Sequence, residues 1–364
     1  MTLRGLAAYA LTLALSTAPQ LTNAQEAPLE TEALPLFPEV TYSVLSYADL
    51  PGWTGDDHAA ALEVFLRTCG DLRDADWGAI CALAREQAET PLSARAFFEL
   101  IFTPVLIQDG APTLFTGYFE PEIPGSRVRT EEYRHPLYSL PPDAPSGQSW
   151  YTRAEIDAGA LAGRGLEIAW VADPVALTFL QIQGSGRIDL EDGSQIRLGY
   201  AGNNGHEYRS IGEEMVRQGI YEWSQVSIPV ISNWVRRNPQ KGAELLRTNP
   251  SYVFFREISG VTPEDGPKGA MNRPLTSRRS LAVDPRYVPL GAPVWIEKEG
   301  FRAMRRLMVA QDTGSAIKGP QRADVFMGTG SVAQREAGRV RDTGRMVVLL
   351  PIQRAYAMLE EVTP

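Results

Sequence analysis

Three aspartates in the last quarter of the chain stand at the edges of apolar runs. Asp284 lies in Ala282-Val283-Asp284-Pro285, Asp312 follows Met308–Ala310 and precedes Thr313-Gly314, and Asp324 stands directly before Val325-Phe326-Met327-Gly328. A single charge beside a strand is ordinarily a turn former or a solvated cap. Three between positions 284 and 324 argue for carboxyl chemistry, in which burial or a like charge raises a pKa until the group can donate and remove protons. Lys318, in Ile317-Lys318-Gly319, is placed to hydrogen-bond substrate or stabilise Asp312.

Other chemistries fit less well. His58, His135 and His206 are far apart and have no neighbouring ligand at metal-site spacing, so no metal and no cofactor is expected. Gly184-Ser185-Gly186 lacks the flanking pattern of a nucleophile elbow. Asp312-Thr313-Gly314-Ser315 resembles the signature of aspartic peptidases, with Asp342-Thr343-Gly344 as a second copy. Those enzymes bring two carboxylates together from two lobes, and too little chain separates these copies for a second lobe.

The elements that must carry these residues belong to a turn-rich chain. It has 364 residues, with 32 Gly and 27 Pro, which favours short strands over long helices. A formal charge of −9 argues against nucleic acid as a partner. Residues 1–24 read as a secretory signal peptide: Arg4, an apolar core from Gly5 to about Leu15, and small residues ending Thr22-Asn23-Ala24. Its removal leaves 34 basic against 44 acidic residues, a net −10. No cysteine lies near the cut to carry a lipid, and no later stretch is apolar enough to span a bilayer. A soluble exported protein of the periplasm, associated at most peripherally with the outer membrane, is expected. Cys69 and Cys81, across a polar turn between helical segments, are expected to form a disulfide in that oxidising compartment.

Residues 55–102 have helical texture, with Leu62, Phe65, Leu66 and Cys69 on one face. From Pro104 to about Leu198 short apolar runs read as strands, including Ala169–Ala172 and Leu177–Ile182. Helices return near Ser210, which has capping-box spacing to Glu213 with Gly219 closing the end, then around Ile228–Val235, and before Asn249-Pro250. Strands resume at 280–283, 293–296, 307–310 and 345–350, interrupted by a helix beginning at Ser331 with Gln334 at the reciprocal cap.

Five blocks together are similar to a known family. Phe115–Pro121, Gln181–Gly186, Tyr200–Gly205, Asn249–Phe255 and the three-aspartate segment 280–328 resemble the membrane-bound lytic murein transglycosylase A family, over roughly residues 100–350. The resemblance implies a mainly β fold with accessory helices: a double-psi β-barrel from residues 25–120 and 258–364, and an inserted β-rich substrate-binding domain at 121–257. A saccharide groove would lie between them. It implies cleavage of the β-1,4 bond between N-acetylmuramic acid and N-acetylglucosamine in peptidoglycan, leaving a 1,6-anhydromuramoyl end. Asp324 would be the catalytic acid, with Asp312 and Asp284 as companions.

In that chemistry the sugar's own C6 hydroxyl attacks C1, so one carboxyl can give a proton and then take one. Asp324 must then be protonated at rest, well above the ~3.9 of a free Asp. Thr116, Gly117, Tyr118, Gln183, Gly184, Ser185 and Tyr200 suit a sugar groove, with Trp170 a weaker candidate. Burial within strands or helices is the expected role of Trp170, Trp223 and Trp234. A hydrolytic carboxylate enzyme and a noncatalytic wall-binding barrel remain alternatives. The expected partner is the glycan strand of peptidoglycan, met by a monomer with an open groove and recruited to sites of wall growth.

Overall fold

A computed structural model describes residues 40–72, 75–87 and 93–362; the expected signal peptide lies outside the described residues. The chain first lays down β1 (Thr41–Val44), α1 (His58–Thr68), α2 (Ala75–Gln87), α3 (Ala94–Ile101), β2 (Phe102–Gln108) and β3 (Leu114–Glu120). Asp57 caps α1 by accepting the Ala60 N–H, and the helix buries Ala61, Leu62, Val64 and Phe65 on one face. The expected disulfide joins Cys69 to Cys81, with Cα atoms 5.4 Å apart. It ties the end of α1 to α2.

A second run follows: β4 (Glu122–Ser126), β5 (His135–Tyr138), α4 (Arg153–Asp157), β6 (Glu167–Val171), α5 (Pro174–Gln183), β7 (Gly186–Leu190), β8 (Gln195–Asn203), α6 (Ile211–Arg217), α7 (Ile228–Arg237), α8 (Pro239–Arg247) and β9 (Val253–Glu257). Its strands form a six-stranded sheet in the order β5-β6-β4-β7-β8-β9. The chain then supplies β10 (Ser280–Val283), β11 (Pro293–Lys298), β12 (Met304–Thr313), β13 (Arg322–Thr329), α9 (Gly330–Ala337), β14 (Arg341–Asp342), β15 (Gly344–Pro351) and α10 (Ile352–Val362). With the first three strands these build a nine-stranded sheet, β1-β2-β15-β11-β12-β10-β13-β3-β14. Strands from both ends of the described chain therefore share one sheet around a core that includes Phe65, Phe102, Phe115, Trp295 and Leu349.

That sheet curls into the expected barrel, and Gln321, just before β13, spans its seam. Its buried amide donates to the Ile107 carbonyl of β2 at 2.7 Å and to the Met346 carbonyl of β15 at 2.8 Å, and accepts the Met346 N–H at 2.9 Å. These three backbone groups thus find a partner where the two strands diverge. The fold is mainly β with accessory helices, a double-psi barrel with a second sheet, as expected.

Two local expectations are corrected. Leu177–Ile182 is helix α5, not strand: Asp173 caps Val175 N–H, Pro174 takes the first helical position, and Gly184 closes the end at φ +75°. These punctuating residues outweigh a short apolar run whose periodicity suits either element. The helix expected at Ser331 begins at Gly330, and its capping position is Thr329, which makes no cap bond because its hydroxyl donates to Glu120 at 2.8 Å. The Ser210 cap is present, and Gly219 and Ile220 close α6 by donating to Val216 and Met215.

Candidate active site

The β-ladder sets one row of residues across the barrel. Ala282 of β10 pairs with Asp312 of β12 on one side and with Asp324 of β13 on the other; Asp324 pairs with Thr116 of β3, and Thr116 with Arg341 of β14. Side chains at paired positions share a face. A bulge makes the row possible: Leu281 pairs with Ala310 but Ala282 with Asp312, so Gln311 is the extra residue. Gln311 is buried and accepts the Ser280 hydroxyl, and skipping it turns Asp312 to the same face as Asp324. Two strand spacings put the two Asp Cα atoms roughly 10 Å apart, with the small Ala282 between them. Tyr118, Leu275, Ala282, Ile317 and Phe326 form an apolar cluster on the barrel.

The two carboxylates are held differently. Asp312 accepts three protein donors: Ala270 N–H and Thr313 N–H on Oδ1, each at 2.9 Å, and the Tyr118 hydroxyl on Oδ2 at 3.0 Å. Asp324 accepts one, the Thr116 hydroxyl on Oδ1 at 2.9 Å. Among the described residues no donor reaches its Oδ2. Arg322, two positions earlier on the same face, donates Nη2 to the Thr116 oxygen at 2.8 Å and Nη1 to the Ala323 carbonyl at 2.6 Å. With Arg322 donating into its oxygen, Thr116 must point its own proton at Asp324 Oδ1.

Burial drives the Asp324 pKa up to about 6; Arg322 and the Thr116 bond pull it back, and the Asp312 charge adds to the rise. Burial also drives Asp312 up to about 6, against the pull of its three donors. Those donors favour the ionised form of Asp312, whereas Asp324 has a single donor to do so. Burial, Asp312 and Asp324 hold the Tyr118 phenol protonated, and so a donor.

The remaining expected residues are dispersed. Asp284 is 1% exposed and lies just beyond β10, off the row; its carboxylate binds Arg286 and the Gly319 N–H, and burial is outweighed by these bonds so that its pKa falls. It anchors the loop between β12 and β13. Lys318 on that loop is exposed and makes no hydrogen bond among the described residues. Gly117 faces away from Thr116 and Tyr118; a Cβ there would meet Ala337 Cα of α9 at 2.8 Å, which gives it a packing role. Gln183 accepts the Phe119 N–H at 2.9 Å, Gly184 ends α5, and Ser185 is buried. Tyr200 on β8 is 48% exposed and accepts the Asn203 amide at 2.7 Å. Asp342 is taken up by the buried Lys298 at 2.6 Å, and three strands separate it from the strand of Asp312, so the two cannot share a proton as a peptidase dyad. Two groups were missed: Arg322, legible from strand alternation with Asp324, and Arg341, for which the sequence holds no local signal. Trp170 and Trp234 are half-buried, whereas Trp223, expected to be buried, is 43% exposed.

Comparison with known proteins agrees with this geometry. Residues 114–256 match the family described as MltA specific insert domain, and residues 279–350 the 3D domain. The chain is 37% identical over 245 residues to membrane-bound lytic murein transglycosylase A of Escherichia coli K12, spanning 65% of this chain and 65% of that protein. It is 34% identical over 262 residues to the Vibrio cholerae protein of the same name, spanning 68% and 69%. MltA from Neisseria gonorrhoeae superposes with a TM-score of 0.75 at 34% identity, covering 88% of this chain and 95% of that one. A membrane-bound lytic murein transglycosylase from Agrobacterium tumefaciens gives 0.77 at 31%, covering 87% and 99%. E. coli MltA with bound chitohexaose gives 0.71 at 29%, covering 85% and 94%. Matches in both parts of the fold, at this identity and coverage, make the chain a member of the membrane-bound lytic murein transglycosylase A family.

Proposed function

We propose that this protein is a peptidoglycan lytic transglycosylase in which Asp324 alone acts as acid and then as base. The observation that carries the reading is the unequal hydrogen bonding of the pair: Asp312 accepts three donors across both oxygens, while Asp324 keeps Oδ2 free of any described donor. With Thr116 committed to Oδ1, the acid proton of Asp324 resides on Oδ2, open toward substrate. It passes to the glycosidic oxygen as the C1–O bond breaks. The C6 hydroxyl of the same sugar bonds to C1 and returns its proton to Asp324, so the proton count closes and no water is consumed. A hydrolase would need a second carboxylate with a free oxygen to attack or to activate water, and the three donors on Asp312 argue against that. Asp312 instead supplies the like charge that helps keep Asp324 neutral.

The same reading assigns residues 25–120 and 258–364 to the barrel and 121–257 to an inserted substrate-binding part, with the leader 1–24 removed on export. The reading places the enzyme in the periplasm, associated with the outer membrane; the relatives' names say membrane-bound, and among the described residues no helix is long and apolar enough to cross a membrane. Mass spectrometry of sacculi digested by the protein tests the proposal. Products ending in 1,6-anhydromuramic acid are expected; reducing ends carrying solvent oxygen would refute it.

A pH dependence follows with its sign. Catalysis needs Asp324 protonated, so turnover is expected to fall as pH rises through about 6. Thr116→Val removes a bond that favours the carboxylate, so the alkaline limb should move to higher pH while kcat drops, and Thr116→Ser should restore both. An unmoved limb in Thr116→Val would show that the hydroxyl does not govern the acid.

A further inference from the structure

We propose that Arg341 and Trp223 form a saccharide subsite for a sugar unit whose substituent carries a carboxylate, next to Asp324 along the same row. This rests on the reading of the row as a glycan-cleaving site and names what the neighbouring sugar must bear. Arg341 pairs with Thr116, which binds Asp324, so it extends the row by one strand at the open edge of the sheet.

Its guanidinium lies 5.1 Å over the Trp223 ring. It has no carboxylate within ion-pair distance and no side-chain hydrogen bond among the described residues, and it adds to the positive field around Arg322. The acidic neighbour Asp342 is already spent on Lys298. A guanidinium set against an aromatic face and left without an anion is a fork prepared for a carboxylate. The ring beneath it supplies the other half. Trp223 sits in a 3-10 turn, Trp223–Gln225, between strands of the second sheet, and stays 43% exposed even with Arg341 above it. An exposed indole of that size offers a pyranose an apolar face. One group comes from the barrel edge and one from the 3-10 turn among the helices of the inserted segment, so a glycan touching both would bridge the two parts of the fold. The carboxylate could belong to a peptide stem or to the lactyl group left when the stem is removed; both present the same chemistry to Arg341.

The test is direct binding in an Asp324→Asn background, where no turnover is read, so failure of the acid assignment would leave these isotherms untouched. Three probes are compared: chitohexaose, which has no carboxylate; a hexasaccharide of peptidoglycan glycan with its stems; and the same glycan stripped to free lactyl groups. Arg341→Gln is expected to weaken the carboxylated probes about tenfold, to flatten their salt dependence, and to leave chitohexaose affinity within about twofold. Loss on the stripped glycan alone identifies the lactyl carboxylate, which is amidated in the stem-bearing probe; loss on the stem-bearing probe alone identifies the stem, and loss on both shows that Arg341 takes either carboxylate. Trp223→Ala should weaken all three, with Trp223→Phe recovering most of the affinity. Equal loss on neutral and charged probes with Arg341→Gln, or no loss on any, overturns the proposal.

Discussion

Asp324→Asn is expected to cut release of anhydro-muropeptides from sacculi by at least about a hundredfold while leaving glycan binding intact. Loss should exceed that of an ordinary acid catalyst if, as proposed above, one carboxyl serves both proton transfers. The substitution is conservative where it must be: the Asn amide oxygen can still accept the Thr116 hydroxyl that now binds Oδ1. Stability separates a chemical from a structural loss. The folded pKa of Asp324 stands at about 6 against an ordinary 3.8, so the folded state holds this proton more tightly than the unfolded chain. Its contribution to stability is therefore most favourable below pH 3.8 and is lost as pH rises through about 6. At pH 7 the ionised group costs on the order of 3 kcal/mol, and an amide relieves that cost. The variant should melt no lower than the parent at pH 7. Activity above about one per cent in a folded Asp324→Asn protein would remove Asp324 from the mechanism.

What could be read from the chain and what could not divides along physical lines. The acids at strand ends were visible because a charge beside an apolar run is locally anomalous, and the caps at Ser210 and Gly219 because capping is a local code. Alternation in β3 already separates Thr116 and Tyr118 from Gly117, which faces α9 instead of the row. The row itself was illegible: it depends on a bulge at Gln311 and on pairing among strands that are not sequence neighbours. Helix α5 was misread because a short apolar run fits two periods, although Asp173-Pro174 and Gly184 marked its ends. The Arg341–Trp223 contact joins segments from different parts of the fold. No spacing rule reaches that far.

Glu120→Ala is expected to destabilise the protein by about 3–5 kcal/mol and to loosen one sheet from the other. Glu120 ends β3 at 1% exposure, and a single residue, Pro121, separates it from β4 of the second sheet. Its Oε2 accepts Arg187 Nε at 2.9 Å and the Thr329 hydroxyl at 2.8 Å, while Oε1 accepts Arg197 Nη2 at 3.2 Å. The arginines reach onward: Arg187 donates to the Pro263 and Asp265 carbonyls and Arg197 to those of Thr262 and Asp265, on the segment returning to the barrel. One carboxylate thus pairs with two guanidiniums from β7 and β8 while holding the end of β13. Without it, Arg187, buried to 6% exposure, keeps its charge with only the exposed Glu122, at 3.9 Å, as counter-ion. Leaving a buried charge unpaired costs more than any single neutral bond, so Thr329→Val, which removes one donor, should cost only about 1 kcal/mol. Urea unfolding followed by fluorescence and by circular dichroism would read both the loss and its form. Because the carboxylate couples the sheets, Glu120→Ala should split one cooperative transition into two, the probes ceasing to coincide. A single unshifted transition would mean that the junction is held by the backbone alone.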